Sequence, residues 1–159
     1  MKNRTARETV ETLDLEHARK ALAGQPFSVL LGTRLTAFGD GSAELELDIR
    51  AELLQQYGFV HGGVLGYAAD NTLTFAAGSV LGPRLITAGY TIDYLRPARG
   101  TLLRARAEVV RAGRTLAVCR CDVFTADAEG RETLCAAAQG TIAVAEHART
   151  APGRLPDEP

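Results

Sequence analysis

The chain has 159 residues, of which 46% are hydrophobic and 23% are charged, and its formal net charge is −1. This composition is that of an ordinary globular domain, so disorder of the whole chain is excluded, and the length fits one domain. The small net charge gives no global reason to bind nucleic acid or an anionic membrane, and we expect neither partner. The three cysteines lack a second ligand pair and predict buried small side chains, with no metal and no other cofactor.

The first predicted unit is an N-terminal helical segment over residues 1–24. Residues 1–12 are polar and expected to fray, whereas apolar residues from Leu13 to Leu22 follow helical spacing until Gly24. The charged start lacks the apolar stretch of a signal peptide. Together with the free thiols, it predicts a cytoplasmic protein.

A short helical turn and two strands come next. The turn is predicted over residues 27–31 and the first strand over residues 33–39. Asp40-Gly41 is a hairpin signal. Residues 42–49 alternate strictly between apolar and polar side chains, which is typical of a strand with one core face and one solvated face.

One long helix and four strands complete the predicted fold. The helix, over residues 62–79, has almost no polar face and should be buried. The strands are predicted over residues 85–95, 101–111, 115–125 and 132–145. This order predicts an α+β domain over residues 25–146, in which a curved antiparallel sheet wraps around one central helix. Residues 147–159 hold three prolines and are predicted to be a disordered tail.

The start of the long helix carries the candidate chemistry. Gly62 and Gly63 leave backbone N–H groups at the positive end of the helix dipole, where they can hold a developing oxyanion. Asp70 has no Arg or Lys three or four residues away on the helix, which favours a cleft carboxylate over a partly exposed structural residue. Gly63 and Asp70 are seven residues apart, or about 10 Å along the axis. Because one carbonyl cannot reach both, the spacing predicts a site built from two chains.

These residues resemble a known family. His61-Gly62-Gly63 followed by Asp70 looks like the hotdog-fold acyl-CoA thioesterases of the phenylacetate-degradation type, called the PaaI type. Residues 91–98 and 112–117 also resemble strand signatures of that family, and the resemblance covers roughly residues 25–146.

The resemblance implies a hotdog fold, a homodimer or a homotetramer arranged as a dimer of dimers, and no metal. It implies that Asp70 is the nucleophile or the general base, and that the Gly63 N–H polarises the thioester carbonyl. Many members have Asn six residues before the histidine, where this chain has Gln55, whose longer amide could do the same work. Thr87 is the nearest match to a hydroxyl residue that assists the attacking water.

His61 and the arginines each have two interpretations. His61 is either a general base or, as we favour because Asp70 fills that role, a side chain that orders the turn by hydrogen bonds. Residues 96–120 hold seven arginines and one acid, a local net charge of +6. These arginines form either a solvated strand face or a patch for the phosphates of coenzyme A, with Arg99 and Arg114 as the predicted contacts.

The sequence therefore predicts an enzyme that hydrolyses an aryl- or medium-chain acyl-CoA thioester to the free acid and CoA. Two alternatives stay open. A non-catalytic acyl-CoA-binding module would not require the carboxylate of Asp70. A hotdog enoyl hydratase or dehydratase looks different, with Asp five residues before the histidine, where this chain has Gln56.

Overall fold

The computed structural model describes residues 13–145. The predicted frayed start, residues 1–12, and the predicted tail, residues 147–159, lie outside this range. Within it, helices and strands follow one another as α1 (Leu15–Ala23), α2 (Pro26–Leu31), β1 (Arg34–Gly39), β2 (Ser42–Asp48), a 3₁₀ turn (Ala51–Leu53), α3 (Gly62–Leu81), β3 (Leu85–Tyr94), β4 (Leu102–Ala112), β5 (Leu116–Ala126) and β6 (Glu132–Val144).

The predicted strands agree with the observed ones to within one residue at each end. The Asp40-Gly41 pair forms the predicted hairpin turn, since both residues have positive φ, 50° and 77°. Helix α3 runs two residues beyond its predicted end at residue 79 and stops at Leu81. It stops there because Gly82 leaves the helix with φ 92°, a conformation that glycine adopts readily.

The sheet has the strand order β1-β2-β4-β5-β6-β3, and every neighbouring pair is antiparallel. Helix α3 contacts all six strands, so the sheet curves around it as predicted. Strand β3 follows α3 directly in the chain but pairs with β6 at one edge of the sheet. This crossover aligns β3 beside α3, and the candidate site lies between the two.

Small side chains allow the helix to approach the sheet closely. The three cysteines are buried with at most 1% exposure, as predicted, among buried alanines of α3 and the strands. Burial raises the pKa of Cys119 to about 11 and that of Cys121 to about 12, so these two thiols stay protonated near neutral pH. No helix in the described part of the chain is long and apolar enough to cross a membrane.

Candidate active site

Asp70 lies in the middle of α3, half-buried, on the side that faces β3. Its Oδ1 accepts a 2.7 Å hydrogen bond from Thr87 Oγ1, and Thr87 Oγ1 is also 3.2 Å from Thr74 Oγ1. Among residues 13–145, no basic side chain forms an ion pair with Asp70. The structure thus brings the predicted Asp70 and Thr87 together, and Thr87 orients one carboxylate oxygen while leaving the other for a substrate or a water molecule.

A β-bulge in β3 turns two side chains toward α3. The register with β6 shifts between Thr87 and Gly89, so Ala88 has no partner residue. Strict alternation would place side chains 87 and 90 on opposite faces, but the bulge places both Thr87 and Tyr90 over the helix. Sequence reasoning missed Tyr90 for this reason. Gly89, a glycine inside a strand pattern, was the signal that could have revealed the bulge.

Two tyrosines of β3 cover the first turns of α3. Tyr94 Oη donates a 3.1 Å hydrogen bond to the Gly62 carbonyl. Tyr90 Oη lies against Gly66, where an added Cβ would be only 3.1 Å from it. Burial, and then the negative charge of Asp70, raise the pKa of the Tyr90 phenol, so it remains a donor near neutral pH. The two hydroxyl groups line the surface between the helix start and Asp70.

The helix start is capped by its own histidine. His61 Nδ1 accepts a 2.9 Å hydrogen bond from the Gly63 N–H, and the His61 carbonyl accepts from the Val64 N–H. The bond to Nδ1 is the contact that the second predicted role of His61, ordering the turn, requires, and that role stays a prediction. The same bond occupies the N–H that the sequence assigned to the oxyanion, while the Gly62 N–H has no acceptor within the described residues. The role of Gly63 stays a prediction, and it requires the imidazole to release the N–H.

Gln55 lies close to the helix start. Its Oε1 accepts from the Tyr57 backbone N–H, and its own N–H donates to the Phe59 carbonyl at 2.8 Å. Gln55 also lines a recess of about 290 Å³ together with Gly62 and Tyr94. The backbone therefore occupies the side-chain carbonyl of Gln55. The side-chain NH₂ group is left to donate to other partners.

The arginines of residues 96–120 do not form one positive patch. Arg104 and Arg106 lie on the outer face of the sheet, and Arg106 pairs with Glu44 at 2.6 Å and with Glu132 at 2.8 Å. Arg104 pairs with Glu132 as well, and the Arg106 guanidinium lowers the pKa of Glu132. The local net charge of +6 overstates the charge of this face, because Glu44, Glu46 and Glu132 from neighbouring strands pair with Arg104 and Arg106. This part of the sheet is the solvated, ion-paired strand face.

The two arginines predicted to bind CoA lie far apart. Arg99 lies beside the helix start, with its guanidinium carbon 4.2 Å from the ring centre of Phe59, which lines the recess there. Arg114 lies in the turn at the other end of β4, an 11-residue strand roughly 35 Å long. The phosphates of one CoA molecule therefore cannot contact both arginines of a single chain.

A long helix inside a curved antiparallel sheet, with a carboxylate on the helix face toward the edge strand, defines a hotdog-fold enzyme. The family model described as "Thioesterase superfamily" matches residues 57–131. A Halobacterium salinarum protein named as a presumed esterase is 38% identical over 64% of this chain and 74% of its own length. The Escherichia coli protein named acyl-coenzyme A thioesterase PaaI is 32% identical over 55% of this chain and 63% of its own length.

A solved structure gives the same result for the fold. The crystal structure of a thioesterase family protein from Silicibacter pomeroyi is similar to this chain with a TM-score of 0.75 and 31% identity. The match covers 79% of this chain and 93% of that protein. This chain belongs to the thioesterase superfamily, and it is a thioester-hydrolysing enzyme, as the sequence predicted.

Proposed function

We propose that this protein hydrolyses acyl-CoA thioesters to the free acid and CoA, with Asp70 as the residue that carries the reaction. The observation that carries the proposal is Asp70 itself, a half-buried carboxylate in mid-helix that is held by Thr87 and has no ion-pair partner in the described chain. A thioester is activated enough that a carboxylate, a water molecule and a helix N-terminus suffice for hydrolysis. The name of the Escherichia coli relative supports CoA as the thiol.

Asp70 acts by one of two routes. As a general base, it accepts a proton from water while the hydroxide adds to the carbonyl carbon. The C–S bond then breaks, and the CoA thiolate takes the proton back. As a nucleophile, Asp70 adds to the carbonyl carbon and expels the CoA thiolate, and water then hydrolyses the mixed anhydride. A single turnover in ¹⁸O-water identifies the nucleophilic route when ¹⁸O appears in the protein, because only an anhydride opened by water at the Asp70 carbon leaves the label there.

The oxyanion site uses the Gly63 N–H in this proposal. His61 Nδ1 holds that N–H at 2.9 Å in the free protein. A thioester carbonyl oxygen replaces the imidazole nitrogen as the acceptor, so His61 keeps the helix start ordered until the substrate enters. The developing negative charge on the oxygen is stabilised further by the helix dipole.

The complete site is composed of two chains. The Gly63–Asp70 spacing of about 10 Å along α3 separates the two functional groups of one chain. Strand β3 supports dimerisation, since among residues 13–145 it pairs with β6 alone and no strand of that range covers its outer edge. Large apolar side chains are exposed along and just after this strand: Ile86, Tyr94 and Leu95. A homodimer, or a dimer of dimers, is the assembly that this edge favours.

Complementation between two inactive variants tests the composite site. Chains with Asp70→Asn are mixed with chains with Gly63→Pro, which lacks the N–H. Heterodimers should regain part of the activity, because one of their two sites has both groups intact. Gly63→Ala is the matched control, since its Cβ also lies only 3.0 Å from His61 Nδ1 but its N–H remains. Heterodimers that form and stay inactive would contradict the two-chain site.

A cavity that begins at Thr74, one helical turn beyond Asp70, fits the acyl group. It has a volume of about 330 Å³ and lies between α1, the second half of α3 and strands β1 and β3. Phe38, Phe75 and Leu85 line it, and Thr74 lines it as well, with its Oγ1 3.2 Å from Thr87 Oγ1. Such an apolar space one helical turn from the carboxylate supports an aryl or a medium-chain acyl group as the substrate.

Steady-state hydrolysis of a substrate panel tests the proposed function. The panel contains hexanoyl-, octanoyl-, benzoyl- and phenylacetyl-CoA, and CoA release is followed with a thiol reagent. We expect turnover with at least one of them, and no turnover in Asp70→Asn. Tight binding without CoA release would favour the acyl-CoA-binding module. Hydration of crotonyl-CoA with its thioester intact would favour the hydratase.

The three free thiols support the predicted cytoplasmic location, because reducing compartments keep thiols unpaired.

A further inference from the structure

Three features of the fold make room for the side chain of Tyr90. The bulge at Ala88 turns it toward α3. Gly140 on β6 lies under it, where an added Cβ would be 2.8 Å from Tyr90 Cβ. Gly66 lies against its hydroxyl, where an added Cβ would be 3.1 Å from the oxygen. Helix α3 and strand β6, which are distant in sequence, therefore each have a glycine at the point that Tyr90 approaches.

The Tyr90 hydroxyl donates no hydrogen bond to the rest of the described chain. Tyr94 donates to the Gly62 carbonyl and Tyr67 donates to Ser28 Oγ, whereas Tyr90 has no acceptor among residues 13–145. The residue is 38% exposed, so a substrate can reach it. Burial and the charge of Asp70 raise the pKa of this phenol, which keeps the proton on the oxygen at neutral and mildly alkaline pH.

The hydroxyl lies one helical turn from the carboxylate. Gly66, which it contacts, precedes Asp70 by four residues, and positions four apart are neighbours on one helix face, about 5–6 Å from each other. A carbonyl group bound between them has its carbon next to Asp70 and its oxygen next to Tyr90. Gly63 of the same chain is too far along the axis for that arrangement.

We propose that the Tyr90 hydroxyl donates a hydrogen bond to the thioester carbonyl oxygen when the thioester lies at Asp70 of the same chain. The inference rests on the proposed acyl-CoA hydrolysis and adds a same-chain donor to the one at the helix start. Attack at the carbonyl carbon moves the π electron pair onto the oxygen, and the bond from Tyr90 strengthens as that charge develops. Tyr90 keeps its proton throughout. The departing CoA thiolate takes its proton from Asp70 on the general-base route and from water on the nucleophilic route.

Tyr90→Phe tests the proposal because it removes only the oxygen atom. With hexanoyl-CoA, we expect KM to rise about fivefold, as for a ground-state carbonyl bond, and kcat to fall by a further factor of about 10 to 100, since the bond is strongest in the transition state. The variant should bind S-hexyl-CoA, a thioether without the carbonyl, within about twofold of wild type. It should bind the ketone analogue, in which CH₂ replaces the thioester sulfur, at least about fivefold more weakly.

Two results would overturn the proposal while leaving the proposed function intact. One is a Tyr90→Phe enzyme with wild-type kcat, and the other is an equal loss of affinity for the thioether and the ketone, which indicates a structural role. A wild-type protein that hydrolyses no member of the acyl-CoA panel would refute the proposed function itself.

A double-mutant cycle with Gly66→Ala tests the placement of the hydroxyl. Alone, Gly66→Ala should lower kcat several-fold, because its Cβ displaces the Tyr90 oxygen. In the Tyr90→Phe background it should cause no further loss, since no oxygen remains to be displaced, and it should raise Tm because Ala favours a helix over Gly. Independent, multiplicative losses in the double variant would contradict the placement.

Discussion

The two sides of helix α3 differ in what they pack against. The side away from β3 is filled by small or branched side chains with at most 3% exposure: Leu65, Ala68, Thr72 and Ala76. The side toward β3 carries Gly62, Gly66 and Asp70, opposite the hydroxyls of Tyr94, Tyr90 and Thr87. One side is held by close packing and the other by hydrogen bonds beside the open edge of the sheet. Substitutions on the two sides should therefore separate stability from activity.

The largest effect is expected for Asp70→Asn, on the β3 side. The amide is nearly isosteric with the carboxylate and can still accept a hydrogen bond from Thr87, so the fold should persist. It can neither take a proton from water nor attack a thioester, and kcat should fall at least about 10²-fold. The measurement is kcat with the best acyl-CoA, together with thermal unfolding. Asp93→Asn is the control, since Asp93 is exposed and lies between Ile92 and Tyr94 on the opposite face of β3. Turnover of Asp70→Asn within about threefold of wild type would remove Asp70 from the chemistry.

The opposite side of the helix should respond in stability alone. Ala76→Leu adds volume at a position with 0% exposure, and such overpacking costs about 1–3 kcal/mol of the free energy of unfolding. Urea denaturation measures this loss, with Ala112→Leu at the exposed end of β4 as the matched control. The kcat of the folded enzyme should stay near wild type. If kcat fell as steeply as in Asp70→Asn, the two sides of α3 would not be independent.

The same contrast explains which features the sequence could predict. The continuous apolar run of α3 and the alternation in β2 are local patterns, and they predicted the helix and the strands closely. Asp70 was found because a carboxylate without an i±4 partner is conspicuous in an apolar helix. The neutralisation of Arg106 was not predictable from its neighbours in the chain, because Glu44 lies 62 residues away and is brought close by strand pairing. Local spacing cannot reveal such a partner.

Two features of the site were hidden for a different reason. The bulge at Ala88 reverses the side-chain alternation within β3, and it brings Tyr90 onto the same face as Thr87. A one-residue change of register moves every later side chain to the other face, so a strand predicted without its bulge misplaces Tyr90. The cap of His61 on the Gly63 N–H depends on one side-chain conformation, which a motif does not specify.

A smaller effect is expected for Gln55, at the helix start on the β3 side. Its Oε1 accepts from the Tyr57 N–H, and an Asn side chain, one methylene shorter, cannot both keep that bond and present its amide at the same point. Misplacement by about 1 Å can cost as much as 10²-fold, so kcat/KM should fall about tenfold in Gln55→Asn. Gln55→Ala should lose at least as much. Values near wild type for both variants would remove Gln55 from the site.

The smallest effect is expected for the CoA contacts, which test how far the site extends beyond one chain. Arg99→Ala should raise KM about three- to tenfold with little change in kcat, because a contact to a remote phosphate is equally present in the ground state and the transition state. The increase should shrink at high salt, since exposed charges are screened. Arg114 lies at the far end of β4 from Arg99, so Arg114→Ala raises KM only if a second chain brings that turn to the same CoA. Equal increases in KM for the two variants would support a site shared between chains, and an effect of Arg99→Ala alone would confine the CoA contacts to the helix start. A fall in kcat at constant KM in either variant would instead connect that arginine with the reaction.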